Sequence, residues 1–306
     1  MTNLRLVDRV VVVTGAGGGI GRAHALMLAS RGAAVVVNDI GGDVHGNGTS
    51  SAAQAVVDEI HRRGGNAAAS SDSITTASGG AAVIDTALQT FGRVDGVIHN
   101  AGILRDRSFA KLSDDDVAEV MAVHLNGAFH VLRPAWPVMK AQGFGRILLT
   151  TSASGLFGTF GQANYAAAKM GLVGLMHVLS VEGAPHGIKA NALAPTARTR
   201  MTEDLLGDLV DRFDPEHVAA VAAYLVSPTC ELTHHVITAG GGRVSRVFLG
   251  STPGWYSGPE PATPEQVGEA IDEIVGRDEF IVPDDGVAEV ELIRRVLASE
   301  VDHAAR

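Results

Sequence analysis

The sequence predicts an α/β fold, a doubly wound sheet of about seven parallel strands with helices on both faces. Two observations predict it. Seven short apolar runs alternate with helical stretches over the first 240 or so residues. The runs are continuously apolar rather than alternating, the pattern of strands covered on both faces and joined by crossover helices. Right-handed crossovers then wind the sheet both ways. Composition agrees: 46% of the 306 residues are hydrophobic, enough for a large core, and 37 glycines suit tight turns and close packing.

The first run, VVVVTG (Val10–Gly15), leads into TGAGGGIGRA, which opens a helix. Gly15, Gly19 and Gly21 let the backbone approach a pyrophosphate seated at that helix's N-terminus. The second run, AAVVVND (Ala33–Asp39), ends on an acid. A carboxylate there accepts from adenosine ribose hydroxyls and repels a 2′-phosphate, favouring NAD over NADP. Asn38 and Ile40 beside it supply no offsetting cation. The third run, NAAASSD (Asn66–Asp72), is weak, since Ala and Ser are poor strand formers. GVIHNAG (Gly96–Gly102), RILLTTSAS (Arg146–Ser154), IKANALAP (Ile188–Pro195) and HVITAGG (His235–Gly241) complete the set.

After Gly242 the pattern stops, and STPGWYSGPEPATP reads as a loop. Thr263 is placed to cap a helix with Pro264 at its first position and Gln266 reaching back. Val267, Ala270, Ile271 and Ile274 would form that helix's apolar stripe, and AEVELIRRVLASEV a last helix. The expected division is a dinucleotide-binding and catalytic domain over 1–242 and a C-terminal extension over 243–306. The extension is too short to count as an independent domain.

A formal charge of −10 makes nonspecific nucleic-acid or membrane-surface binding a poor expectation. The single cysteine, Cys230, allows no internal disulfide and fits a reducing compartment. No Cys/His cluster of metal-binding type is read, so no metal is expected. No secretory signal and no apolar run of the ~18 residues that span a bilayer are read, so a soluble, cytoplasmic protein is expected.

NYAAAKMG (Asn164–Gly171) sets Tyr165 and Lys169 four apart, on one face if the stretch is a helix. The pair alone is either an exposed contact on an ordinary helix or an activated phenol. A free Tyr ionises near ~10, too high for acid–base work at neutral pH, and a nearby ammonium favours the phenolate.

Together, TGAGGGIG, HNAG, Ser152 of SAS and Tyr165-x-x-x-Lys169 resemble the short-chain dehydrogenase/reductase family, from Leu6 to about Gly242. Within it, NDIGGDVHGNGTS, AGILRDRSFAKLSDDD, SASGLFGTFGQANYAAAK and LAPTARTRMT are similar to the (3R)-hydroxyacyl-CoA dehydrogenase domains of peroxisomal multifunctional enzymes. The resemblance implies a Rossmann-type fold, an NAD cofactor and a homodimer or homotetramer. Ser152 would then hold the substrate oxygen, Tyr165 act as acid/base, and Lys169 lower its pKa and hold the nicotinamide ribose. Cofactor contacts are implied at Gly15, Gly19, Ile20, Gly21, Asp39, Asp72, Ser73, Asn100, Ala101, Gly102, Tyr165, Lys169, Pro195, Ala197 and Thr199.

Two positions depart from the family. His99 replaces the first Asn of Asn-Asn-Ala-Gly, and His124 stands where a catalytic Asn supports a proton path from the Lys. His124 can both donate and accept, so it is either a relay or a satisfied structural histidine. Gln162 is a substrate candidate, with Phe157 and Phe160 either lining the pocket or packing. Arg105, Arg107, Arg198 and Arg200 are candidates for a coenzyme A phosphate. The substrate expected is an acyl-CoA. A 17β-hydroxysteroid is the nearest rival, a carrier-protein reductase is less favoured, and a non-catalytic NAD-binding module is the alternative of another class.

Overall fold

The computed structural model describes residues 4–198, 211–291 and 293–295. Seven parallel strands form as expected: β1 (Val10–Thr14), β2 (Ala34–Asn38), β3 (Asn66–Ser70), β4 (Gly96–His99), β5 (Gly145–Thr150), β6 (Ile188–Pro195) and β7 (Val236–Gly240). An eighth, β8 (Arg243–Val247), extends the sheet, whose order is β3-β2-β1-β4-β5-β6-β7-β8. Only Gly241 and Gly242 join β7 to β8, at φ +56° and +83°. So short a link makes a hairpin, since a parallel return needs a crossover. Arg243 and Arg246 are exposed on this last strand, charges that discourage further pairing at a sheet edge.

The weak third strand holds because it pairs residue for residue with β2, from Ala34 opposite Asn66 to Asn38 opposite Ser70. Tertiary context overrides its poor propensity. Order reverses between β1 and β4, which places a crevice at the carboxyl ends of both. Helices α1 (Gly19–Ser30), α2 (Ala52–Arg62), α3 (Ala77–Phe91), α4 (Asp114–Met121), α5 (Gly127–Gln142), α6 (Ala153–Phe157), α7 (Ala163–Gly183) and α8 (Pro215–Leu225) complete this unit. A π-helical turn, Ala122–Asn126, lies between α4 and α5. The main core joins Val11, Val13, Val35, Val37, Ile98, Leu148 and Leu193 of the sheet to Leu28, Val56 and Val218 of the helices.

By their contacts, residues 1–246 and 247–306 form separate compact units. The expected boundary after Gly242 falls four residues earlier because β8 was not anticipated. In the second unit Thr263 and Gln266 form the reciprocal cap, Oγ1 accepting from the Gln266 amide at 3.3 Å and Oε1 from the Thr263 amide at 2.9 Å. The helix is shorter than expected: α9 (Pro264–Glu269) stops before α10 (Ile271–Ile274). Val267 and Ile271 of the expected apolar stripe are exposed.

The base of the sheet is fastened at Asp95, just before β4. Its carboxylate accepts from Arg9 Nη1 (2.8 Å), Val10 N (2.9 Å) and Arg93 Nε and Nη2 (2.7 Å each). Burial pushes its pKa up, but the hydrogen bonds from Arg93, Val10 and Arg9 outweigh that and hold it below the ordinary aspartate value of 3.8. A lowered carboxylate stabilises the fold above its unfolded pKa, and the contribution is lost as pH falls through the folded value. Asp95→Asn should cost about 2 kcal/mol of unfolding free energy at neutral pH. Urea titration should show the gap to the unaltered protein narrowing once pH drops below 3.8. An equal gap at all pH values would contradict this assignment.

Candidate active site

The turn from β1 into α1 is shaped by absent side chains. Gly15 and Gly19 sit at φ +64° and +52°, where other residues are strained. A Cβ on Gly21 would come 2.1 Å from the Gly15 carbonyl oxygen. The N-cap of α1 is Gly18, so no side chain caps the helix, and its first turn carries no acid. Its free amides and positive dipole end suit an anion. Asn100 closes the turn from the other side, donating from Nδ2 to Thr14 O (3.3 Å) and Gly15 O (3.1 Å).

Asp39 follows β2 and accepts from Gly17 N at 2.8 Å and Gly41 N at 2.7 Å. Both carboxylate oxygens are thereby aimed, with lone pairs left over. Asn38 Nδ2 donates to Ser70 O, Ser70 Oγ and Asp72 O, and Ser70 Oγ donates to Asp72 Oδ2 at 3.0 Å. Ser73 lies in the turn just beyond, its hydroxyl 2.9 Å from that of Thr75. The expected cofactor positions at the ends of β1 to β4 therefore border one crevice. The cradle, the open helix end and the aimed carboxylate fit a dinucleotide.

Further along, the fit is partial. Pro195 ends β6, and Ala197 is buried in the core. Thr199 and Arg200 lie outside the described residues. Arg105, Arg107 and Arg198 are each paired, with Glu119 (2.7 Å), Asp116 (3.3 Å) and Asp211 (2.8 Å). Among the described residues no group of three or more His, Cys, Asp or Glu is placed to hold a metal.

Ser152 follows β5 as the N-cap of α6, its Oγ accepting from Ser154 N at 3.2 Å. Tyr165 and Lys169 share one face in the first turns of α7. The Lys169 ammonium is buried and donates to Thr150 O at 2.6 Å. It lies 5.5 Å from the centre of the Tyr165 ring. Burial draws its pKa down to about 7.

The Tyr165 phenol departs from the sequence expectation. Its pKa is raised above 10, by burial first; a hydrogen bond with Ser152 offsets part of this, and the negative charge of Asp106 adds to it.

His124 sits in the π turn with its ring edge-on to Tyr165, centroids 5.2 Å apart. Its Nε2 is 3.0 Å from Ile103 N and 2.9 Å from Ile103 O, so it serves one or the other according to tautomer. Burial holds its pKa well below 6.5, so the ring is neutral, and Nδ1 is buried without a protein partner. Gly102 must be glycine here, because a Cβ would meet the His124 ring at 2.3 Å.

His99 accounts for its own substitution. Its Nε2 donates to the His124 carbonyl at 2.8 Å, which leaves Nδ1 to accept from the Thr14 hydroxyl at 3.3 Å. That hydroxyl accepts in turn from Asn100 N (3.1 Å) and Ala101 N (3.2 Å). Burial pulls the His99 pKa to about 4, so this buried chain stays neutral.

On the substrate side, Gln162 Nε2 donates to Asp106 Oδ2 at 2.7 Å. Phe157 and Phe160 are 72% and 91% exposed, so neither is the packing residue that an aromatic beside a sheet usually becomes. Asn164 Nδ2 donates to Arg105 O (3.2 Å) and Asp116 O (3.1 Å), which ties the loop after β4 to the start of α7. Sequence reasoning did not single out Asp106, Thr14 or the Thr150 carbonyl. Asp106 alone had a visible signal, an acid within RDR just after the HNAG motif.

A short-chain dehydrogenase family model matches residues 9–208. A short-chain type dehydrogenase/reductase of Mycobacterium tuberculosis is 54% identical over 244 residues, 79% of this chain and 85% of that one. Mouse peroxisomal multifunctional enzyme type 2 is 49% identical over 268 residues, 86% of this chain but 36% of that protein. The chain thus spans about a third of that larger relative. The solved structure of full-length peroxisomal multifunctional enzyme type 2 from Drosophila melanogaster superposes with a TM-score of 0.82 at 36% identity, covering 97% of this chain and 51% of that one. The chain belongs to the short-chain dehydrogenase/reductase family and is an oxidoreductase acting on CH–OH groups.

Proposed function

We propose that the protein is an NAD-dependent dehydrogenase interconverting a secondary alcohol and a ketone, with a (3R)-3-hydroxyacyl-CoA as its substrate in lipid or sterol side-chain breakdown. One observation carries the reading: Ser152, Tyr165 and Lys169 stand together beside a glycine cradle whose neighbouring carboxylate, Asp39, is aimed by two backbone amides. The acyl-CoA part is supported by the likeness to peroxisomal multifunctional enzymes over most of this chain. A role as an inert NAD-binding module is disfavoured by the complete Ser–Tyr–Lys set.

In this reading the glycine turn, Asp39, Asn100 and Lys169 hold the dinucleotide, which when bound supplies the hydride acceptor or donor. Ser152 orients the substrate oxygen beside Tyr165. In oxidation Tyr165 as phenolate takes the hydroxyl proton; in reduction the phenol gives its proton to the carbonyl oxygen. Because burial raises the phenol's pKa, oxidation should gain with pH and reduction should hold at neutral pH. Lys169, fixed to the Thr150 carbonyl, keeps a cation near the ring while pH stays below about 7.

We also expect at least a dimer. Val117, Phe129, Val178 and Val181 are exposed on α4, α5 and α7, consistent with a contact between copies there. A cytoplasmic location remains part of this proposal; no described helix is long and apolar enough to cross a membrane.

NADH formation with (3R)-3-hydroxyacyl-CoA thioesters, compared with 17β-hydroxysteroids, tests the substrate. Turnover confined to the thioesters is expected, and Tyr165→Phe should lower it by roughly 10²–10⁴ while leaving NAD affinity near its original value. Turnover of steroids alone, or a Tyr165→Phe variant that keeps most of its activity, would contradict the reading. Asp39→Ser should reduce the NAD-over-NADP ratio of kcat/KM by roughly tenfold or more; an unchanged ratio would remove Asp39 from cofactor choice.

A further inference from the structure

A long glycine-rich loop, residues 41–50, runs from the end of β2 to α2. Its foot stands at the cofactor end of the crevice, where Asp39 Oδ1 accepts from Gly41 N at 2.7 Å and Ser50 N donates to Ile40 O at 3.3 Å. Its tip is folded on itself. Asp43 Oδ1 accepts from His45 N (2.8 Å) and Asn47 N (2.9 Å), and Asp43 N donates to Asn47 O (2.9 Å).

That tip is fastened to the segment leaving β4. Leu104 N donates to Val44 O at 3.0 Å, and the His45 Nδ1 lies 3.1 Å from Leu104 O. A carbonyl only accepts, so Nδ1 carries a proton and donates it. Gly46, at φ +81°, lies against Ile103, where a Cβ would come 3.0 Å from Cγ2. Ile103 in turn borders the phenol. Its side chain is buried in a cluster with Val120 and Ala168, against which Tyr165 packs. Its amide and carbonyl are the partners of the His124 ring, which stands edge-on to Tyr165. Further on, the same segment is tied to the start of α7: Asn164 Nδ2 donates to Arg105 O at 3.2 Å, and Arg107 N to Gly161 O at 2.8 Å.

We propose that His45 is a positioning residue: by pinning Leu104 it seats Ile103, and Ile103 holds Tyr165 and the His124 ring in place for proton transfer. This rests on the reading of Tyr165 as the acid/base. His45 itself is exposed at the loop tip, so its removal opens no cavity. The α7 ties remain without it, and only the edge of the segment nearest Ile103 is freed. The expected result is a small misplacement of the reacting groups, which slows the bound complex without altering the overall equilibrium. Oxidation and reduction must then fall by the same factor.

The test is the single-turnover rate with a (3R)-3-hydroxyacyl-CoA and NAD, and with the 3-oxo thioester and NADH, beside the dissociation constants of both dinucleotides. His45→Ala should slow both directions roughly three- to tenfold and leave both dinucleotide affinities within about twofold of the original. His45→Asn, whose side-chain amide can donate to the same carbonyl, should recover most of the rate. Gly46→Ala, which presses on Ile103 from the same loop, should slow the reaction as His45→Ala does. The proposal is overturned if neither variant slows the reaction, if His45→Asn is as slow as His45→Ala, or if the loss appears only as weaker dinucleotide binding. Activity retained by Tyr165→Phe, measured alongside, would instead sink the underlying reading and the proposal with it.

Discussion

The part-buried position of the Tyr165 phenol is the constraint around which the site is arranged. A phenol removed from water holds its proton more tightly, because the anion loses hydration. Burial, countered only in part by the Ser152 hydrogen bond, raises the Tyr165 pKa, and Asp106 raises it further. The buried Lys169 ammonium is costly in its own right, and its hydrogen bond to the Thr150 carbonyl keeps it from being an orphaned charge. The same bond directs it to the end of β5 rather than onto the phenol.

That arrangement depends on a neutral, buried scaffold between the cofactor turn and the reacting face. The Thr14 hydroxyl gathers the Asn100 and Ala101 amides and donates to His99, which donates to the His124 carbonyl. Each member has one role left once its neighbour is fixed, so the tautomer of His99 is determined by its partners. The chain links the end of β1 to the π turn, where His124 leans on Gly102 and Tyr165. Because every link is uncharged near neutral pH, little desolvation cost is added to a site that already buries Lys169.

The fold was largely legible because parallel strands buried on both faces are continuously apolar, and seven such runs stand in the sequence. β8 escaped notice for the opposite reason: RVSRV is polar and half exposed, and follows two glycines that read as an ending. Within the site, the glycine turn, Asp39 and the Tyr165/Lys169 spacing were visible because each is a local pattern. What was missed lies in contacts across the chain. Lys169 bonds a backbone carbonyl, which leaves no trace in residue type. Gln162 and Asp106 are 56 residues apart in sequence. Arg105, Arg107 and Arg198, three of the four phosphate candidates, have carboxylate partners, and Val267 and Ile271 of the expected C-terminal stripe are exposed.

The pH at which the phenol gives up its proton can be measured directly. With only three tyrosines in the chain, ¹³C-labelled tyrosine observed by NMR, assigned by Tyr165→Phe, would follow the Tyr165 ring directly through a pH titration. Before cofactor is added, Tyr165 should titrate above 10, the ordinary value, and it should move to lower pH when oxidised dinucleotide is added. A Tyr165 resonance that titrates below 10 before any cofactor is present would contradict it.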